Sequence, residues 1–219
     1  MGAKSSDPTG LSHNDPTPVP RGARRREEIV AVAEAVFLAQ GFAETTMRDV
    51  AARAGASKET LYRHFAGKEG LFAEVVSNRA RLLRGRLDAD LGRPNAMAEI
   101  LRDLGINLLE AMTSPEVTAL LRLVVAEAPR DPALGRTFYA LGPERTRERL
   151  TEYLEAARGR GEFGGRDAGL AASIFLGAVT SQCHTSRLVL QDPPPMERAE
   201  IEERVDEVVA MFVGHYGAR

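Results

Sequence analysis

Twelve residues most restrict what this chain can become: Thr46 through Ser57, TMRDVAARAGAS. Thr46 can cap the free amides of a helix, and Asp49 three residues later can return the bond as a capping box. Met47, Val50, Ala51 and Ala54 then fall on one face. Gly55 ends the helix, because glycine tolerates the left-handed backbone of a sharp turn, and Ser57 caps the next helix at once. Two helices meeting across Gly-Ala-Ser form a helix-turn-helix.

Upstream, Ile29, Val32, Ala33, Val36 and Phe37 recur at i, i+3, i+4, i+7 and i+8. That is the stripe of an amphipathic helix, which Gly41 stops. The first twenty residues, MGAKSSDPTGLSHNDPTPVP, hold four Pro and no apolar period, so a mobile tail is expected over 1–20. Met1, Gly2 and Ser6 fit the pattern for N-terminal acylation, but that pattern is short and common by chance. No secretion-type apolar core and no 18-residue apolar run is present, so a cytoplasmic protein without a membrane span is expected.

From Glu69 onward nothing alternates as a strand would. Leu71, Phe72, Val75, Val76, Leu82, Leu83 and Leu87 mark a long fourth helix. Breaks at Gly92 to Pro94, Pro115, Pro129 to Pro132, Gly159 to Gly165 and Asp192 to Pro195 divide the rest into roughly five more. The expected fold is therefore all-α with about nine helices. A helix-turn-helix domain is expected over 21–68 and a larger helical domain over 69–219.

Winding residues 57–65 at about 100° per residue puts Leu61 and Phe65 on one side and Glu59, Thr60, Tyr62 and Arg63 opposite, with Lys58 and His64 on the flanks. A rod of that width fits the DNA major groove. Arg and Lys can donate to guanine, Thr can touch a thymine methyl, and Glu can accept from cytosine. Tyr62, His64 and Thr46 can donate to phosphates, Arg48 can reach a base edge or a phosphate, and Lys68 is placed for a phosphate. Glu59 fits poorly beside an anionic backbone and can instead pair with Arg63 at i+4. From periodicity and the glycine turn alone, a solvated helical corner explains the same residues.

Charge leans the same way without deciding it. The net charge of −2 divides into +2 for residues 1–68 and −4 for the remainder, from ten basic against eight acidic and 19 against 23. A weakly basic head on an acidic body suits anion binding by the head. The excess of Arg over Lys, 26 to 3, reflects genome composition as readily as phosphate recognition.

The segments IVAVAEAVFLAQGFAETTMRDVAARAG and LYRHFAGKEGLF, spanning Arg26 to about Val76, resemble the amino-terminal domain of the tetracycline repressor (TetR/AcrR) family. The resemblance implies a recognition helix over Ser57 to His64, with Lys58, Glu59 and Thr60 facing bases and Tyr62 and His64 on the backbone. It implies that Lys68 supports the start of the fourth helix. It also implies a carboxy-terminal domain that binds a small effector and dimerises, the chain working as a ligand-responsive transcription regulator, most often a repressor, on a palindromic double-stranded operator. LRLVVAEAPRDPALGRTFYALGPERTRERL looks like an AefR-type subgroup.

Leu104, Leu108, Met112, Leu121, Val125, Phe138 and Phe175 can line an effector cavity between helices. Each also fits plain core. Few charges interrupt those stripes, so an apolar effector is expected. Gly177, Ala178 and Ser181 would let another helix approach closely, and Val205, Val208, Val209, Phe212 and Val213 form an apolar seam on the last helix. The resemblance implies that these two helices pair with their copies in a homodimer; internal packing is the other reading.

His13, His64, His184 and His215 lie far apart with no ligand-spaced Cys or carboxylates, so no metal or cofactor is expected. Neither a GxSxG elbow nor a phosphate-cradling Gly loop occurs, and Cys183 and His184 point about 100° apart. An enzyme is not expected. A helical protein-interaction module and, more distantly, a small-molecule-binding enzyme are the alternatives to a regulator. The single Cys183 excludes an internal disulfide and fits an apolar filler better than a redox sensor.

Overall fold

Local cap chemistry sets the amino-terminal elements. The computed structural model describes residues 21–217 apart from 91 and 95, so the expected tail over 1–20 and its acylation pattern lie outside the described residues. Helix α1 (Arg21–Gln40) buries Ile29, Ala33, Val36 and Phe37, with Val32 packed partly against them. Helix α2 (Met47–Ala54) starts at Thr46, whose Oγ accepts from the Asp49 amide at 3.3 Å while its own amide donates to the Asp49 carboxylate at 3.0 Å. The expected capping box is present. Such a cap contributes about 1 kcal/mol.

Gly55 closes α2 at φ 57 and ψ 40, the left-handed region, and its amide donates to Ala51 and Ala52 carbonyls. Ser57 then caps α3 (Lys58–His64), accepting from the Thr60 amide at 3.1 Å. Phe65 leaves the helix in extended backbone. Leu61 and Phe65 are buried as expected, so α3 is held by one face and free on the other.

Helix α4 (Lys68–Ala89) carries the core onward. Phe37, Phe42 and Phe72 meet with ring centroids 5.3 to 5.9 Å apart, two of the three contacts edge-on. Aromatic pairs in such geometries add about 0.5–1.5 kcal/mol beyond burial. The same core includes Leu120 and Val124 of α6 (Pro115–Glu127) and Leu134 of α7 (Pro132–Tyr139), so it extends well past residue 68.

A second core lies among α5 (Met97–Thr113), α8 (Arg145–Gly159), α9 (Ala168–Val189) and α10 (Arg198–Tyr216). Helices α5 and α10 approach so closely that a Cβ on Gly105 would sit 2.8 Å from Cγ1 of buried Val205. Only glycine fits that crossing. Among the described residues there is no strand, only an isolated bridge between Phe163 and Gly217.

The fold is all-α as expected, and the count needs one refinement. Helices α7 and α8 run together through a π-helical segment at Ala140–Glu144 that contains Pro143. Proline cannot donate the regular i−4 bond, and a widened turn is a common way to absorb that loss. Taking this run as one rod gives nine helices among the described residues, the number expected from the Gly and Pro breaks. The long fourth helix expected is present as α4, with a kink at Gly85, whose φ 29 and ψ −102 are non-helical. Leu82, expected in its buried stripe, is 65% exposed, lying about 100° around the helix from Leu83.

Candidate nucleic-acid interface and ligand cavity

Helix α3 stands with Lys58, Glu59, Tyr62 and Arg63 exposed and Thr60 and His64 half-buried. Lys58 Nζ lies 5.8 Å from the Tyr62 ring centroid, a cation-π contact at an open site. The pairing expected between Glu59 and Arg63 is absent, and neither makes an ion pair with a described residue. Arg48 on α2 is likewise exposed and makes no ion pair with a described residue, although its charge helps to lower the Asp49 pKa, so Arg48, Lys58 and Arg63 are all open to solvent.

Two expected phosphate donors are occupied by the protein itself. Thr46 donates its hydroxyl to the Asp49 carboxylate at 2.6 Å and its amide to the same oxygen, so its capping role consumes both donors. These bonds hold the Asp49 carboxyl below the usual aspartate range. Lys68 Nζ donates to the carbonyls of Phe42 at 2.7 Å and Ala43 at 3.0 Å and lies 4.5 Å from the Phe42 ring centroid. It ties the start of α4 to the turn before α2.

Sequence reading gave no role to the arginines that begin α1. Arg25 donates to the carbonyls of Ala54 at 2.7 Å and Gly55 at 3.0 Å, closing the end of α2 that leads into the turn. Arg26 donates to Glu74 of α4 at 2.7 Å and lies over the Phe65 ring, which fixes α1, α3 and α4 together. The Glu74 hydrogen bond outweighs burial and raises the Arg26 pKa. A basic triplet near the start of a helix carries no signal that separates such internal ties from an outward anion site.

A cavity of about 420 Å³ opens between α4, α5, α6, the π segment, α8 and α9. Leu108, Met112 and Phe138 line it. Leu104 and Phe175 are instead sealed in the second core, and Val125 is 53% exposed on α6. Leu121 is partly buried away from the cavity. A stripe identifies the inward face of a helix but does not say which inward positions meet a gap. Missed lining residues include Arg79, Asn107, Thr146, Thr180 and His184, which put polar groups in a mainly apolar wall. A more open groove of about 920 Å³ lies between the end of α1, α6 and the stretch 187–196. Arg122 and Arg187 brace its edge through backbone carbonyls.

The apolar seam on α10 proves to be interior: Val205, Val208, Val209 and Phe212 are all buried within one chain. Among the described residues, the large apolar side chains open on the last two helices are Leu170 (58% exposed), Ile174 (47%), Val189 (75%, at the end of α9) and Met211 (58%), with Gly177 and Ser181 also exposed. Cys183 is buried, which pushes its thiol up despite the nearby Arg204 and Arg187 charges. A protonated, enclosed thiol is a poor nucleophile. No group of three or more potential metal ligands clusters among the described residues, and no described helix is long and apolar enough to cross a membrane.

Comparison with known proteins agrees with this geometry. Residues 29–75 match the family model described as bacterial regulatory proteins, tetR family, and residues 99–218 match the AefR-like transcriptional repressor, C-terminal domain. The fold superposes on a TetR-family transcriptional regulator from Mesorhizobium loti MAFF303099 with a TM-score of 0.74 and 32% identity, covering 91% of this chain and 100% of that one. The flavonoid-responsive regulator FrrA is similar at 31% identity with a TM-score of 0.66, covering 90% of this chain and 99% of that one. Among curated relatives, the transcriptional regulator SrpR of Pseudomonas putida is 24% identical over 156 residues, 71% of each chain. With a helix-turn-helix that projects α3 and an AefR-like domain behind it, the chain belongs to the TetR family of DNA-binding transcriptional regulators.

Proposed function

We propose that the chain is a cytoplasmic, homodimeric repressor that grips a palindromic operator with two copies of α3 and releases it when a largely apolar small molecule enters the cavity beside α4. The observation that carries this reading is α3 itself: a capped helix fixed by Leu61 and Phe65, with Lys58, Glu59, Tyr62 and Arg63 directed to solvent. On this reading Lys58, Glu59, Thr60 and Arg48 meet base edges or nearby phosphates, and Tyr62, Arg63 and His64 grip the backbone. The DNA-reading head ends near residue 68, and residues 69–219 sense and dimerise.

Dimerisation is supported by the open apolar positions Leu170 and Ile174 on α9, which also carries the exposed Gly177, and Met211 on α10. A two-fold pair must hold its recognition helices about 34–36 Å apart to enter successive major grooves. An effector pressing on α4 would favour a dimer with a different separation. A coupling of about 3 kcal/mol weakens operator binding roughly 150-fold. The mainly apolar wall around Leu108, Met112 and Phe138, together with the likeness to a flavonoid-responsive regulator, supports a flat, mostly apolar effector.

This function is exercised by binding rather than turnover. The test is a mobility shift on the intergenic DNA beside its own gene, against a scrambled duplex of equal length. Retardation of the native fragment alone is expected. A protein-interaction module would shift neither.

A further inference from the structure

We propose that the effector carries an acidic group, and that Arg79 binds this group by giving up Glu34, the residue that ties the cavity to the DNA-reading head. The inference rests on the reading that the cavity beside α4 holds the effector. Arg79 belongs to α4 and lines that cavity. Its Nε donates to Oε1 of Glu34 on α1 at 2.8 Å. The Glu34 side chain is only 13% exposed, and Arg79 is its one hydrogen-bonding partner among the described residues. One guanidinium therefore faces both the ligand space and the first helix of the head.

Arg79 is also incompletely used. Its two terminal nitrogens donate to no described residue. A guanidinium presents five N–H donors in a planar fork and binds a carboxylate or sulfonate best through two parallel bonds. In the structure Glu34 takes a single bond from Nε. An acidic group arriving from the cavity can offer the bidentate geometry that Glu34 does not use, and competition for the same cation follows.

The opposing charge in the wall does not cancel this attraction, because Glu110 is paired to Arg198 of α10. Losing Arg79 leaves Glu34 enclosed without a cation, so α1 shifts relative to α4. Arg26 and Glu74 make the other α1 to α4 ion pair among the described residues, and neither lines the cavity. That pair serves as an internal control.

Linkage gives the proposal a reciprocal signature: whatever competes with the effector for Arg79 must weaken the effector. The probes are 8-anilinonaphthalene-1-sulfonate and N-phenyl-1-naphthylamine, the same aromatic frame with and without a sulfonate, titrated by fluorescence into the full chain. The sulfonate probe should bind several-fold more tightly. Arg79→Gln should abolish that preference. Glu34→Gln should tighten the sulfonate probe several-fold, leave the neutral one unchanged, and weaken operator binding roughly three- to tenfold. Glu74→Gln should weaken operator binding with both probes unchanged. A filling substitution, Ala111→Phe, should weaken both probes.

Equal binding of the two probes, unaltered by Arg79→Gln, overturns the role of Arg79 and leaves the cavity reading standing. Binding of neither probe, or binding indifferent to Ala111→Phe, overturns the cavity reading and this proposal with it. Circular dichroism of each variant guards against misfolding, and Glu34→Gln tests the claim independently of any arginine substitution.

Discussion

The ammonium of Lys68 donates to the carbonyl oxygen of Phe42 at 2.7 Å, so the first residue of α4 fastens the turn that precedes α2. A charged donor shared between two carbonyls, half-exposed, stabilises by about 1–2 kcal/mol. Lys68→Ala is therefore expected to lower the thermal midpoint by several degrees and to weaken operator binding indirectly. The slope of log affinity against log salt should stay nearly constant. A drop of about 0.9 in that slope would assign Lys68 to a phosphate instead.

On the proposed reading, base reading and backbone gripping fall to different residues of α3. Lys58→Ala and Thr60→Val are expected to change which base pairs are preferred, while Tyr62→Phe weakens all duplexes about equally. Anisotropy titrations against the operator and single-base variants of it measure both. A wrong base pair typically costs about 1–3 kcal/mol at a specific position, and substitution of its reader should erase that cost.

Ile174→Arg is expected to leave the chain monomeric where the parent forms the proposed dimer, because it places a charge at an exposed apolar position of α9 where the copy would pack. Sedimentation velocity at micromolar concentration reads the change directly. Met211→Arg should act similarly, whereas Val125→Arg on α6 should leave the association state alone.

Gly105→Ala should destabilise by about 1–3 kcal/mol, because the added methyl meets Val205 at 2.8 Å and that side chain is wholly enclosed. Val205→Ala in the same chain should recover part of the loss. Denaturant unfolding of the single and double variants tests the pair as a cycle.

Acid should loosen the kinked end of α4. Burial pushes the Asp88 carboxyl up, but hydrogen bonds and charge from Arg149 and Arg84 together hold it below the usual aspartate value. A depressed folded pKa gives stability that is present above the unfolded value and lost as pH falls through the folded one. Stability measured from pH 6 downward should thus fall less steeply in Asp88→Asn than in the parent chain.

How much of this was legible in sequence follows from the range of each interaction. Thr46, Asp49, Gly55 and Ser57 act on backbone within three or four positions, so the helix-turn-helix could be read to the residue. The Gly and Pro breaks work the same way. Gly105 gave no sign, because its partner Val205 lies a hundred positions on. Arg25, Arg26 and Lys68 look like surface cations until the carbonyls and carboxylate they meet are known. The cavity was half legible for a related reason: Leu108, Met112 and Phe138 share an inward pattern with Leu104 and Phe175, and only packing decides which face a gap. The seam on α10 misled likewise, since an inward face and a dimer face have the same spacing.

The most direct measurement is a hydroxyl-radical footprint of the purified chain on the DNA flanking its own gene, with the number of bound chains counted in parallel. Two protected patches on one side of the duplex, centred about 10 base pairs apart and holding two chains, are expected, with Lys58→Ala altering both equally. A single patch held by one chain, or protection that substitutions on α3 leave untouched, would contradict the proposed reading of the operator by paired α3 helices.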